Sequence, residues 1–260
     1  MSEPGQPLLI AEGVVKRYGG IHALDGVDLT VRRGEILGLI GPNGAGKTTF
    51  VNCLTRVEQP SEGRILFKGV DLRRLPAHEV SRHGLARTFQ VMRPFRSMTV
   101  RENVAVGALF GRSTTKRSMK EALEVADETL RFTGLWPRRD QSASSLTVAD
   151  GKRLELAKAL ALDPELLALD EVMAGLNHTE IDAAVALIRE ISARGVTLLV
   201  IEHVMKAIMA LADRIVVLHQ GKKLADGAPR EVLADPRVVA AYLGERYAQR
   251  MHSAGPEPLS

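Results

Sequence analysis

Two stretches of this sequence carry residues whose types and spacing suit chemistry on a phosphate chain. EILGLIGPNGAGKTTF satisfies G-x-x-x-x-G-K-[ST] with Gly41, Gly46, Lys47 and Thr48. Gly41, Gly44 and Gly46 let the backbone take positive φ and come close to an anion. With Pro42, Asn43 and Ala45 they form a loop whose N–H groups make a concave nest at a helix N-terminus, where the dipole favours negative charge. Lys47 can neutralise the β- and γ-phosphates. Thr48, followed by Thr49, can place its hydroxyl on Mg²⁺. The second stretch, ELLALDE, sets two carboxylates after an apolar run. Asp170 is placed to hold Mg²⁺ through water. Glu171 is placed to orient or deprotonate a water aimed at the γ-phosphate. The pair of motifs establishes nucleoside triphosphate binding but not what it drives, since small-molecule kinases, GTPases and motor ATPases share the loop.

The elements that must hold these residues read as alternating strands and helices. EILGLI (35–40), ELLALD (165–170) and VTLLVIE (196–202) are nearly continuous apolar runs, as expected of buried parallel strands. TEIDAAVALIREISARG, between the last two, reads as a helix that ends on a cation and a stop glycine. Short alternating strands broken by glycine occupy residues 7–31. GRILFKG reads as another short strand, and RIVVLHQGKKLADG as a hairpin. From about 76 to 160 the signals turn mostly helical. The expected division is therefore 1–89 for the first part of a nucleotide-binding core with an antiparallel β subdomain and 90–160 for a helical subdomain. Residues 161–245 form the second part of the core, and 246–260 a loose polar tail.

Bulk properties exclude several alternatives. The chain has 260 residues, 45% apolar and 25% charged, an ordinary balance for a soluble domain. Aromatics are only 4%, too few for extensive base stacking, and the basic pairs behind the net charge of +4 are scattered. No nucleic acid partner is expected. The single Cys53 excludes an internal disulfide framework and fits a reducing compartment. No apolar run approaches the length of a membrane span. The histidines other than His203 show no metal-ligand spacing.

Taken in order, the motifs resemble the nucleotide-binding subunits of ABC transporters across residues 8–245. The resemblance implies an α/β P-loop NTPase of the ABC type, with a mixed sheet core, an antiparallel β subdomain and a helical subdomain. VVKRYGG puts Tyr18 where that family has its adenine-stacking aromatic. ARTFQ puts Gln90 at the loop that touches Mg²⁺ and the attacking water. MAGLN (173–177) stands where the D-loop stands, and VIEHV puts His203 at the switch histidine, which contacts the γ-phosphate. The implied cofactors are ATP and Mg²⁺, with Thr48, Gln90 and Asp170 at the metal and Lys47, Gln90, Glu171 and His203 in catalysis. RTFQVMRPFRSMTVRENVAVG, DEVMAGLNHTE and LADGAPREVLADPRVVAAYLGE are similar to the ATPase subunits of branched-chain amino acid importers. Such importers pair a second ATPase, identical or different, with two membrane permeases and a periplasmic binding protein. The resemblance also implies a subunit bound peripherally to the cytoplasmic face of the inner membrane.

The chain departs from the family pattern at two places. Val172 follows the catalytic Glu where the family usually has Pro. Leu146, Thr147, Val148, Ala149 and Asp150 stand where the family signature usually reads Leu-Ser-Gly-Gly-Gln. In the family, this loop meets the partner's ATP, so Thr147, Val148 and Ala149 would bind nucleotide in trans. Locally, Thr147-Val-Ala-Asp150 fits a capping box, with Thr147 as N-cap. Asp150 puts a negative charge on the turn that meets the incoming anion, which opposes each unit of phosphate charge by roughly 2 kcal/mol at about 8 Å and an effective dielectric of about 20. The two ATP sites of the assembly are therefore expected to be unequal. Other cargoes (an amide, urea, another amino acid), a soluble non-transport ABC ATPase and a small-molecule kinase stay open at this stage.

Overall fold

A long hairpin begins the fold of this computed structural model, which describes residues 5–89, 93–112 and 117–243. Strand β1 (Pro7–Tyr18) pairs antiparallel with β2 (Ile21–Arg32) across the Gly19–Gly20 turn. Then come β3 (Ile36–Ile40), the glycine loop, and α1 (Lys47–Leu54). Strands β4 (Glu62–Phe67) and β5 (Val70–Asp71) complete a four-stranded sheet in the order β2-β1-β4-β5. The short α2 (Ala77–Val80) and β6 (Leu85–Arg87) lead into three longer helices: α3 (Val100–Leu109), α4 (Met119–Phe132) and α5 (Val148–Ala161). The chain returns through β7 (Leu166–Asp170), α6 (His178–Ala193), β8 (Thr197–Ile201), α7 (Met205–Leu211), β9 (Arg214–His219), β10 (Lys222–Gly227), α8 (Pro229–Ala234) and α9 (Pro236–Leu243).

The second sheet has the order β10-β9-β3-β8-β7-β6. Its neighbours from β9 to β6 pair parallel, and β10 closes the edge antiparallel. Every residue of β3, β7 and β8 is buried, as their unbroken apolar runs require of strands covered on both faces. Register then sets the site. Ile201 of β8 lies opposite Leu39 of β3 on one side and Asp170 of β7 on the other. The glycine loop, Asp170-Glu171 and Glu202-His203 thus leave the sheet at one row of carboxyl ends, where open α/β sheets bind ligands.

Residues 85–87 correct the sequence reading. That region reads as helical, yet β6 pairs parallel with β7 at the sheet edge. Three residues are too few to show a period of two, so only pairing with β7 reveals the strand. The three longer helices share their own core, in which Val100 and Val104 of α3, Ala126 and Leu130 of α4, and Leu154 and Ala157 of α5 are fully buried. Cys53 is buried in α1, as its apolar setting implies.

Glu165, just before β7, ties three parts of the chain together. Its carboxylate accepts from Arg33 after β2 at 2.8 Å, Lys68 after β4 at 2.5 Å and Arg112 after α3 at 2.7 Å. Burial alone would push its pKa up, but Lys68, Arg33 and Arg112 hold it down at about 2. A depressed carboxylate stabilises the fold above its unfolded pKa and loses that contribution as pH falls from about 4.5 towards 2. The contribution is bounded at roughly 3 kcal/mol. Glu165→Gln is therefore expected to lower the unfolding free energy by about 1–3 kcal/mol at pH 7, and the gap to wild type should shrink below about pH 4.5 and close only near pH 2. Urea unfolding of both proteins at the two pH values checks this, and a gap independent of pH would contradict it.

Candidate functional site

The glycine loop is shaped by positions that accept no side chain. Gly46, the N-cap of α1, has φ 102°. A Cβ there would lie 2.5 Å from the Ala23 carbonyl oxygen and 2.9 Å from a Leu24 methyl. Only glycine lets α1 start so close to β2. Lys47 opens the helix and is 8% exposed. Its ammonium donates to the Gly41 carbonyl at 2.6 Å and the Pro42 carbonyl at 3.1 Å. Burial pulls its pKa down, against the fields of Glu171 and Asp170. The lysine therefore sits within reach of both acids and bonds to weak acceptors that a phosphate can outcompete.

Asp170 ends β7 and is 1% exposed. It receives Arg87 Nη2 at 2.8 Å, and its backbone amide donates to Thr88 Oγ1 at 3.0 Å. Burial is the main cause of its raised pKa, followed against that by the Arg87 guanidinium and then, again raising it, by Glu171. Glu171 has φ 49°, a left-handed conformation rare outside glycine. Its amide donates to the Ile201 carbonyl at 2.9 Å, and its own carbonyl accepts from Lys152 Nζ at 3.0 Å. Those anchors on β8 and α5 hold the turn that swings the Glu171 side chain away from the sheet. Val172, where the family usually has Pro, is buried.

These residues border a cleft of about 700 Å³, a size suited to a nucleotide. Asn43, Gly44, Ala45, Gly46, Lys47, Thr48 and Thr49 form one wall, with Glu171, His203 and Ala23 completing it. Gly41 and Pro42 lie at the loop's start, where their carbonyls meet Lys47. Asp170 is buried and is not among the residues that line the cleft. Tyr18, at the end of β1, is 46% exposed and outside the cleft lining; its ring lies 5.0 Å from Lys16 Nζ and its hydroxyl donates to Glu58. Gln90 lies outside the described residues. Thr147, Val148 and Ala149 start α5 and do not border the cleft.

The donor set suits Mg²⁺ carried by a triphosphate. Thr48 and Asp170 offer a hydroxyl and a carboxylate, hard oxygen donors of the kind Mg²⁺ takes alongside phosphates and water. Among the described residues, no group of three or more His, Cys, Asp or Glu could cage a metal by itself.

The start of α5 departs from the expected capping box. Thr147 Oγ1 accepts from the Asp150 amide at 3.2 Å, which makes half of it. The other half is present at α3, α4 and α6, where the third helical residue is Glu. At α5 it is Asp, one methylene shorter, and its carboxylate takes Arg138 Nε at 2.8 Å instead. The Asp150 charge expected to oppose an incoming phosphate is therefore paired within its own chain.

Sequence reasoning missed two charged residues that hold the site together. Glu202, next to His203, is 1% exposed and accepts from the Met173 amide at 2.8 Å, pinning MAGLN to the end of β8. Burial pushes its pKa up. An acid ending the apolar run VTLLVIE was the available signal. Arg87, in a stretch that reads as helical, carried no signal.

A family description reading "ABC transporter" matches residues 24–174, more than half of the chain. The chain belongs to the ABC transporter family, and its fold is that of the family's ATP-binding cassettes. A second description, "Branched-chain amino acid ATP-binding cassette transporter", matches residues 222–248. The chain is 42% identical over 252 residues to the high-affinity branched-chain amino acid transport ATP-binding protein BraF of Pseudomonas aeruginosa, covering 92% of this chain and 99% of that protein. Its identity to the similarly described LivG of Escherichia coli K12 is also 42%, with the same coverage. A solved nucleotide-free ATP-binding cassette from an ABC transporter superposes with a TM-score of 0.84 at 32% identity, covering 92% of this chain and all of that one. An ADP conformation of such a cassette gives the same TM-score, identity and coverage.

Proposed function

We propose that this chain is the ATP-hydrolysing subunit of an ABC importer for branched-chain amino acids. One observation carries the ATPase reading: Lys47, Thr48, Glu171 and His203, from three separate parts of the sequence, border one cleft at the carboxyl ends of β3, β7 and β8. In this reading, ATP seats its phosphates in the Gly41–Thr49 loop. Lys47 leaves the Gly41 and Pro42 carbonyls for the β- and γ-phosphates. Thr48 and Asp170, with Gln90, would hold Mg²⁺, which supplies charge neutralisation at the γ-phosphate. Glu171 orients a water for in-line attack and accepts its proton. His203 contacts the γ-phosphate, and Tyr18 stacks on the adenine. The cargo reading rests on the match at 222–248 and on the names of the relatives.

No described helix is long and apolar enough to cross a membrane. We place the subunit peripherally on the cytoplasmic face, docked to two permeases that a periplasmic binding protein feeds. An open groove of about 350 Å³ beside β6 supports this, lined in part by Val57, Ala77, Val80, Leu85 and Phe89. Val57 and Phe89 expose apolar side chains there, and Phe89 directly precedes Gln90 in the sequence. It would receive a permease's coupling helix. ATPase stimulation by reconstituted permeases with leucine-loaded binding protein, and none by DNA, RNA or a phosphate acceptor, is the expected result. Stimulation by urea- or amide-loaded binding protein alone would overturn the cargo.

The second ATPase, identical or different, would meet Thr147, Val148 and Ala149 in trans. The Arg138–Asp150 pair makes this signature less repulsive than its residue types suggest. Arg138→Ala is expected to weaken ATP-driven association of the ATPase pair by roughly three- to tenfold at low salt and less at high salt. Arg138→Ala with Asp150→Asn should recover it. Sedimentation with ATP and without it reads the effect, and failure of the double variant to recover would mean that the pair acts through folding alone.

A further inference from the structure

A row of side-chain hydrogen bonds runs from Tyr18 through Asn52 of α1 to Asp170. The Tyr18 hydroxyl donates to Glu58 Oε2, which also receives Lys16 Nζ at 3.3 Å. The other oxygen of Glu58 accepts from Asn52 Nδ2 at 2.9 Å. Asn52 Oδ1 accepts from Arg87 Nη1 at 2.6 Å, and Arg87 Nη2 donates to Asp170 Oδ2 at 2.8 Å. Both ends of the Asn52 amide are used, one as donor and one as acceptor. Its neighbours permit one orientation only, because a flip would set its oxygen against the Glu58 carboxylate and its NH₂ against the Arg87 guanidinium. Charges alternate along the row: Lys16, Glu58, Arg87, Asp170. The Arg87 side chain is 8% exposed and that of Asp170 1%, so water does little to screen this end.

We propose that Glu58, Asn52 and Arg87 are positioning residues that couple the base end of the nucleotide site to its metal end. Arg87 sets the rotamer of the Asp170 carboxylate, Asn52 and Glu58 brace Arg87, and the Tyr18 hydroxyl secures Glu58. A base stacked on Tyr18 immobilises the hydroxyl end of the row and so favours the Asp170 geometry that meets Mg²⁺. By linkage, Mg²⁺ favours base stacking to the same extent. This inference rests on the proposed roles of Tyr18 and Asp170. None of the three bracing residues is required to touch nucleotide.

Calorimetric titration of the full chain with ATP and with inorganic triphosphate, each with Mg²⁺ and with a chelator, tests the coupling. In the wild type, Mg²⁺ should tighten ATP more than it tightens the base-free triphosphate. Asn52→Leu should cut the Mg²⁺ effect on ATP by roughly three- to tenfold and leave that on triphosphate unchanged. Tyr18→Phe keeps the ring, loses the hydroxyl and should give the same loss, and the double variant should lose no more. Glu58→Gln carries the same expectation at a side chain that is 25% exposed, and stands in where Asn52→Leu fails to fold. An unchanged Mg²⁺ effect, or additive losses, would overturn the coupling. Asp170→Asn separates this from the site reading. If it leaves the Mg²⁺ effect intact, the metal role of Asp170 fails; if it removes the effect while the bracing variants keep it, only the coupling fails.

Discussion

Lys47→Ala is expected to lower ATP affinity by about 10²–10³-fold and to reduce hydrolysis to background. The ammonium is nearly buried and held at the loop's mouth by the Gly41 and Pro42 carbonyls. A unit charge about 4 Å from a phosphate oxygen contributes roughly 4 kcal/mol at an effective dielectric of about 20. Alanine removes that attraction and leaves two inward carbonyls facing the anion instead. Lys47→Arg should recover little, because a planar fork does not fit the point-charge position between those carbonyls. Equilibrium binding of a fluorescent ATP analogue reads both variants. Affinity within tenfold of wild type for the alanine variant would show that nucleotide binds elsewhere.

Glu171→Gln should separate binding from chemistry. The amide keeps the side chain's shape and can adopt the same φ of 49° at the end of β7. It cannot accept the proton of the attacking water, and hydrolysis is expected to fall by about 10²–10⁴-fold while ATP affinity stays within a few-fold. ATP-bound pairs of subunits should then accumulate, because the step that would release them is lost. Phosphate release and size-exclusion chromatography with ATP measure the two effects. A variant that hydrolyses ATP within fivefold of wild type would remove Glu171 from the general-base role. The same substitution made in each ATPase of the assembled importer weighs its two sites against each other. Equal losses of transport-coupled turnover would sink the expectation that they differ. The Arg138–Asp150 pair points towards a smaller difference than the bare signature residues do.

The phosphate loop was legible in the sequence because its function is local. Gly41 to Thr49 are contiguous, and an anion nest needs only backbone freedom and a helix start. Strands β3, β7 and β8 were legible for a related reason: burial on both faces demands unbroken apolar runs, whatever lies beside them. β6 was not legible, since three residues carry no period and their strand exists only through pairing with β7.

The sequence by itself determined that this chain binds a nucleoside triphosphate, and its order of motifs placed it among ABC cassettes. Side-chain partners were decided by the tertiary structure alone. Arg87 reaches Asp170 across 83 positions, and Asn52 reaches Arg87 across 35. Asp150 reads as a repulsive charge in the signature until folding brings Arg138 against it. Residue type tells what a group can donate or accept within a turn or two of its own backbone. Which charge neutralises it depends on strand register and helix packing, and those are set by burial of the whole core.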